Sequence, residues 1–169
     1  MLKECAGFLG LLSIKLKTKV GHHIKSILQS LIQNTKHQRS KVRRLSVRAI
    51  GDTIKADNAA PLLKEIMTQL KPLVNDKIVE VRKELYFVVK EWLTSFDIAY
   101  LRMFECDLVL ILLAGVGDES PEIAKHCVEC LEFYGSNLKK LLVEIGEDTS
   151  SVKPNSFDTK YEKMISSHP

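Results

Sequence analysis

Val81-Arg82-Lys83-Glu84-Leu85-Tyr86-Phe87-Val88-Val89-Lys90-Glu91-Trp92-Leu93 is the run from which the architecture can be read. Val81, Leu85, Val88, Val89, Trp92 and Leu93 recur at three- and four-residue steps, which puts them on one face of a helix; a half-buried strand would alternate. The pattern returns upstream at an offset of 39 residues, where Val42-Arg43 matches Val81-Arg82 and Ala49, Ile50 and Ile54 match Val88, Val89 and Leu93. It returns downstream at an offset of 42, where Ile123 matches Val81 and Cys127, Cys130, Leu131 and Tyr134 match Leu85, Val88, Val89 and Trp92. Apolar falls on apolar, so each unit ends in an amphipathic helix.

Another periodic stretch precedes each of these helices: Ile24, Ile27, Leu28, Leu31 and Ile32; Leu62, Leu63, Ile66, Met67, Leu70, Leu73 and Val74; Leu101, Phe104, Leu108, Ile111 and Leu112. Asp57-Asn58 with Pro61 opens one helix, and Ser120-Pro121 opens another with Ser as N-cap and Pro in the first turn. Gly135 is expected to close the last one. No stretch alternates for long and no Asn-Gly or Asp-Gly turn occurs, so the expected class is all-α. The expected organisation is a partial unit over residues 1–17, units over about 22–56, 59–96 and 97–135, and the start of a further helix to 148. Residues 149–169 read as a polar, disordered tail.

Composition agrees with a folded, soluble chain: 169 residues, 45% hydrophobic and 27% charged, with five Pro and eight Gly. The longest apolar run, Leu108 to Val116, is half of what spans a bilayer, so no membrane helix is expected. Glu4 near the start argues against an export signal. Cys5, Cys106, Cys127 and Cys130 are then expected as reduced thiols in a cytosolic compartment. Net charge is +4 but polarised: +10 over residues 1–56, zero over 57–96, −7 over 97–148. The basic end is concentrated in Lys36, Arg39, Lys41, Arg43, Arg44 and Arg48. Such a gradient steers partners of opposite sign, although a charge run is more often a solvated helix face.

Helix pairs repeating every ~40 to 47 residues mark HEAT or armadillo solenoids. Asp76-Lys77-Ile78-Val79-Glu80-Val81-Arg82 resembles the HEAT signature, an Asp in the intra-unit turn followed by Val-Arg. That resemblance implies a ladder of Asp and Arg between stacked units, with Asp76, Arg82, Arg43 and Asp118 as its members. His37 replaces the Asp of the first unit, and Ile123-Ala124 replaces Val-Arg in the third, so an incomplete ladder is expected. The order Ser40-Lys41-Val42-Arg43, Val47-Arg48-Ala49-Ile50-Gly51, Glu80-Val81-Arg82, Glu91-Trp92-Leu93 and Gly117-Asp118-Glu119-Ser120-Pro121-Glu122 is similar to the HEAT-repeat dynein axonemal assembly factors. The resemblance covers residues 1 to about 148 and implies a fragment or short relative of longer chains.

No constellation of residues points to catalysis. Cys127-Val128-Glu129-Cys130 is a CxxC beside His126, but its cysteines take the buried register of Leu85 and Val88, so they read as core thiols and not as metal or redox ligands. His22-His23 are adjacent, whereas a helical metal pair would be four apart. Gly7, Gly10, Gly115 and Gly117 lack the rest of a phosphate loop. Gly51 lies inside a helix, where close helix packing is the usual reason. No catalytic residue, cofactor or metal is expected.

The expected product is a short stack of helix pairs that binds proteins. Val42, Leu45 and Ala49 would face the core, leaving Lys41, Arg44 and Arg48, with Lys36 and Arg39, as candidate partner-binding cations. By resemblance the partners are axonemal dynein chains and other assembly factors, and the role is a cytoplasmic scaffold for pre-assembling dynein arms. Alternatives are a nuclear-transport or phosphatase-type HEAT adaptor, or a nucleic-acid-associated HEAT protein using residues 36–48. No aromatic interleaves those six cations, which disfavours nucleic acid. Phe8, Leu9, Leu11, Leu12 and Ile14 would leave an apolar end that implies either a missing N-terminal part or a binding partner, and the uncapped solenoid ends would also permit self-association. No membrane contact is expected.

Overall fold

The computed structural model describes residues 23–55 and 62–144. The expected partial unit over 1–17 with its apolar end, the Asp57-Asn58-Pro61 break and the tail 149–169 lie outside the described residues. Two compact units are distinguished, residues 1–134 and 135–169. Of the second, the described part is the last turns of the final helix.

Among the described residues every regular element is helical and no strand occurs. The order is α1 (Ile24–Asn34), α2 (Ser40–Ile54), α3 (Leu63–Leu70) prolonged by a 3-10 turn (Lys71–Asn75), and α4 (Val79–Ser95). Then come α5 (Ile98–Leu101) with a 3-10 turn (Arg102–Phe104), α6 (Glu105–Val116) and α7 (Pro121–Glu144). In the first unit α1 packs on α2, and α2 packs on α4, while α1 meets α3 and α3 meets α6. First helices therefore neighbour first helices, and the second helix α2 neighbours the second helix α4.

The core is the set of apolar faces that the 3.6-residue period places inward. Ile24, Leu28 and Leu31 of α1 are buried, as are Val81, Leu85, Val88, Val89, Trp92 and Leu93 of α4. Helix α2 buries Val42, Val47, Ala49, Ile50 and Ile54, whereas Leu45 is only partly covered. Val47 takes the place expected of Leu45 because the face turned to α4 is centred on Val47, Ile50 and Ile54, at steps of about 100° per residue. Trp92 lies against α2 and its Nε1 donates to the Gly51 carbonyl at 3.3 Å. A Cβ on Gly51 would stand 2.7 Å from both methyl carbons of Val88, so only glycine permits this approach of α2 to α4.

Two first helices are broken where the sequence suggested one run. Pro72 has no N–H for the helical ladder and its ring crowds the preceding turn, so α3 ends at Leu70 and the chain continues as a 3-10 turn. In the third unit Asp97 caps α5, its carboxylate accepting from the Ala99 N–H at 2.7 Å, and a short 3-10 turn separates α5 from α6. Helix α7 begins at Pro121 but does not stop at Gly135; it runs to Glu144. Closing a helix at glycine needs a left-handed backbone, which Gly135 does not adopt. The following Leu138, Lys139, Lys140, Leu141 and Leu142 are good helix formers that carry it on.

Candidate functional site

Within each pair the two helices are joined by a turn, over residues 35–39, 76–78 and 117–120, and these turns take part in bidentate ion pairs between neighbouring pairs. Asp76 accepts from the Ile78 N–H at 2.9 Å and Asp118 from the Ser120 N–H at 2.8 Å, the local bond that shapes an Asx turn. His37 replaces Asp at this register and preserves the local bond, its Nδ1 accepting from the Arg39 N–H at 3.0 Å.

Arg43 Nε and Nη2 donate to Asp76 at 2.6 and 2.7 Å, and its Nη1 reaches the carbonyls of His37 and Gln38 at 2.9 and 3.0 Å. Arg82 repeats the pattern one unit on, donating to Asp118 at 2.7 and 3.0 Å, to Glu119 at 2.9 Å and to the Asp76 carbonyl at 2.7 Å. Each arginine thus ties the turn of its own pair to the carboxylate of the next pair, bidentate and charge-assisted. Both inter-pair boundaries have a rung. The side chains that break the signature, His37 and Ala124, take part in neither, although the His37 carbonyl accepts from Arg43, so no gap interrupts the ladder among the described residues.

Electrostatics follow from this geometry. The hydrogen bond to Asp76 raises the Arg43 pKa against the opposing effect of burial, and the bonds to Asp118 and Glu119 do the same for Arg82. Burial works to raise the Asp76 pKa, but the bonds from Arg43 and the Ile78 N–H hold it below its ordinary value. The Arg82 bond likewise lowers that of Asp118.

Cations and acids also meet along the helices. Arg48 pairs with Glu91 at 2.9 Å, with Asp52 at 3.5 Å and with Glu84 at 3.8 Å, and its guanidinium lies 5.1 Å over the Phe87 ring. Lys55 joins Glu91, Lys71 joins Asp107, Lys83 joins Glu122, and Lys90 stands 3.9 Å from Glu129. Burial raises the pKa of Glu84 and Asp52 despite the nearby arginines. Apart from Arg48–Asp52, every pair named here takes its cation from the earlier helix pair and its acid from the later one. The polarised charge of the sequence is therefore built into the boundaries, cation side first.

The six-cation run consequently divides, and Arg48 is corrected: it is not left open for a partner, because three carboxylates and an aromatic ring hold it. Arg43 is held by Asp76. Arg44 lies 4.0 Å from Glu84 with 41% of its side chain exposed. Lys36, Arg39 and Lys41 are exposed, and Lys36 and Arg39 make no ion pair among the described residues. The sequence held a signal for this division: Glu84 and Glu91 flank Phe87, which stands 39 residues after Arg48.

Cys127 and Cys130 are buried within the third pair, and burial pushes their thiols up to about 12 and about 11. A thiol so shifted is a poor nucleophile and a poor ligand. Gly115 explains part of the burial, since a Cβ there would stand 2.3 Å from Cys127 Sγ and 2.7 Å from the Tyr86 ring. His126 lies 3.4 Å from the Tyr86 carbonyl, and His23 is the residue that precedes α1. Among the described residues no group of three or more His, Cys, Asp or Glu side chains could hold a metal ion. No helix among them is long and apolar enough to cross a membrane. A groove of about 440 Å³ runs between α4 and α7, with Phe87, Tyr86 and Ile123 in its lining and charges of both signs around them, among them Arg44, Lys83, Glu84 and Glu122.

Comparison with known proteins gives a family. A family model described as "Dynein axonemal assembly factor 5-like, TPR repeats" matches residues 3–142. Over 116 residues the chain is 30% identical to Dynein axonemal assembly factor 5 of Xenopus laevis and 27% identical to that of Homo sapiens. These alignments cover 69% of this chain but only 14% and 13% of the relatives, so the chain spans about one seventh of their length. No solved structure matches the chain significantly. The family description speaks of TPR repeats, whose unit is about 34 residues; the offsets of 39 and 42 and the Arg-to-Asp rungs are of the HEAT kind.

Proposed function

The chain belongs to the dynein axonemal assembly factor 5-like family, and on that basis we propose that it is a non-enzymatic, protein-binding scaffold assisting cytoplasmic pre-assembly of axonemal dynein arms. The observation that carries the reading is the family match over residues 3–142, which takes in every described helix pair. Its partners are axonemal dynein chains and other assembly factors. The family relatives are named for axonemal dynein assembly, and a stack of helix pairs supplies long side-by-side faces on which a protein partner can lie.

Contact is made through exposed cations of the basic run. Lys36 and Arg39, with the exposed Lys41 beside them and the half-exposed Arg44, offer positive charge to an acidic protein surface, while Arg43 and Arg82 are held in the boundaries and Arg48, 35% exposed, is engaged by three carboxylates. Charged surfaces of this kind act mainly on association rate and partner choice. The test is a pull-down of the tagged chain from ciliated cells, with quantitative mass spectrometry. Enrichment of axonemal dynein heavy and intermediate chains, lost in the Lys36→Glu/Arg39→Glu variant, is the expected result. Absence of dynein, with release of the chain by nuclease, would instead favour a nucleic-acid role.

A further inference from the structure

Phe87 breaks the charge pattern of the second helices. Its counterparts at the offsets of 39 and 42 are Arg48 and Glu129, and each of these meets an opposite charge of a neighbouring pair. Phe87 instead leaves 48% of its surface exposed, in the lining of the groove between α4 and α7. The Arg48 guanidinium 5.1 Å over the ring holds it in place, so little order has to be imposed when a ligand meets the rest of its surface. Tyr86 and Ile123 add further apolar surface to the same groove.

The charges around that surface are not equally engaged. Glu122 is met by Lys83, Glu129 has Lys90 at 3.9 Å, and Glu84 lies 3.8 Å from Arg48 and 4.0 Å from Arg44. Glu80 stands in the first turn of α4, where the helix N-terminus favours a negative charge. The acids of the lining are thus answered within the protein. Arg44 is answered less well: Glu84 is shared with Arg48, and 41% of the Arg44 side chain is exposed. Arg44 and Glu80 also line a smaller hollow of about 350 Å³ with Ser40, Lys41 and the 38%-exposed Ile78, so the groove adjoins the basic run on its α2 side. Positive charge is therefore left over beside apolar surface. A nucleic-acid backbone fits this poorly, because its unbroken row of phosphates would meet Glu80, Glu84, Glu122 and Glu129 as well as the cations. A protein segment places carboxylates and an apolar side chain separately and so suits both.

We propose that the groove takes an acidic segment of a partner protein, with one apolar side chain seated against Phe87 and Ile123 and carboxylates facing Arg44 and Lys41. This rests on the reading that the basic run meets acidic protein surfaces, and adds to it the place of the apolar contact. Fluorescence anisotropy of the full chain tests it with labelled pools of short peptides: Asp and Glu around a central Leu, Asp and Glu around a central Ser, and Lys and Arg around a central Leu. The acidic Leu pool is expected to bind, the Ser pool at least about tenfold more weakly, and the basic pool not at all. Phe87→Ser and Arg44→Glu should each weaken binding of the acidic Leu pool about tenfold or more with unchanged helical circular dichroism, whereas Phe87→Leu should keep it. No binding of the acidic Leu pool, equal binding of the Ser pool or of the basic pool, or indifference of folded Phe87→Ser or Arg44→Glu chains would each overturn the proposal. If Phe87→Ser loses helical signal, the comparison of Leu and Ser pools on the parent chain decides alone. The two readings fail separately. Dynein capture from ciliated cells that folded Phe87→Ser leaves undiminished overturns the groove and keeps the scaffold, while a parent chain that binds the acidic Leu pool and captures no dynein keeps the groove and overturns the scaffold.

Discussion

Lys36 and Arg39 lie a few residues from Arg43 and Arg48 in one basic run, yet the two halves of that run do different things. Arg43 and Arg48 point into boundaries between helix pairs, where Asp76, Glu84 and Glu91 meet them. Lys36 and Arg39 sit at a turn on the near side of the first pair, where no later acid among the described residues reaches them. Charge in a repeat protein therefore has to be counted per boundary. A cation facing the following pair is structural, and one left outside that register is available to a partner.

The largest expected effect lies on the structural side. Arg82 is about 6% exposed in its side chain and Asp118 about 4%, so Arg82→Ala strands a buried carboxylate and should cost roughly 3–5 kcal/mol, read from urea unfolding. A methyl group at Gly51 or Gly115 meets Val88, or Cys127 and Tyr86, well inside contact distance. Gly51→Ala and Gly115→Ala should each destabilise by about 1–3 kcal/mol, and an unchanged urea midpoint would show that the helices are not packed this closely. Arg48→Ala should cost about 1 kcal/mol, because its side chain is 35% exposed and solvent screens its pairs. Lys36→Ala with Arg39→Ala should stay within about 0.5 kcal/mol of the parent.

Acid sharpens the same contrast. Asp76 and Asp118 have lowered pKa values, so their contribution is complete above the ordinary carboxylate value of about 3.9 and is lost as pH falls below it. Asp52 and Glu84 are shifted up by burial, so the folded chain takes up their protons first and gains slightly in stability as pH falls through those values. Stability should hold or rise a little between neutrality and about pH 4.5, then drop. In Asp76→Asn the drop should be shallower. An equal drop in parent and variant would show that the rung plays no part in acid unfolding.

Much of this fold was legible because repetition supplies its own alignment. The faces of α4 and α7, the core placement of Cys127 and Cys130 and the turn register of Asp76 and Asp118 all follow from offsets of 39 and 42 residues. Local chemistry was harder to weigh. Gly135 reads as a stop, but helix formers on both sides outweigh the roughly 1 kcal/mol that an interior glycine costs. Pro72 reads as part of a helix until its missing N–H is set against the ladder. The division of the basic run was legible in principle only, since it depends on acids some forty residues away that matter only once the pairs are stacked.

Two reversals of equal charge, Arg39→Glu and Arg48→Glu, separate the structural cations from the available ones when urea midpoint and dynein capture are measured on the same preparations. Arg39→Glu should keep the parent midpoint and lose capture, whereas Arg48→Glu should lower the midpoint, with capture falling no further than the loss of folded chain requires. A lowered midpoint in Arg39→Glu, or full stability with lost capture in Arg48→Glu, would contradict the division of the basic run.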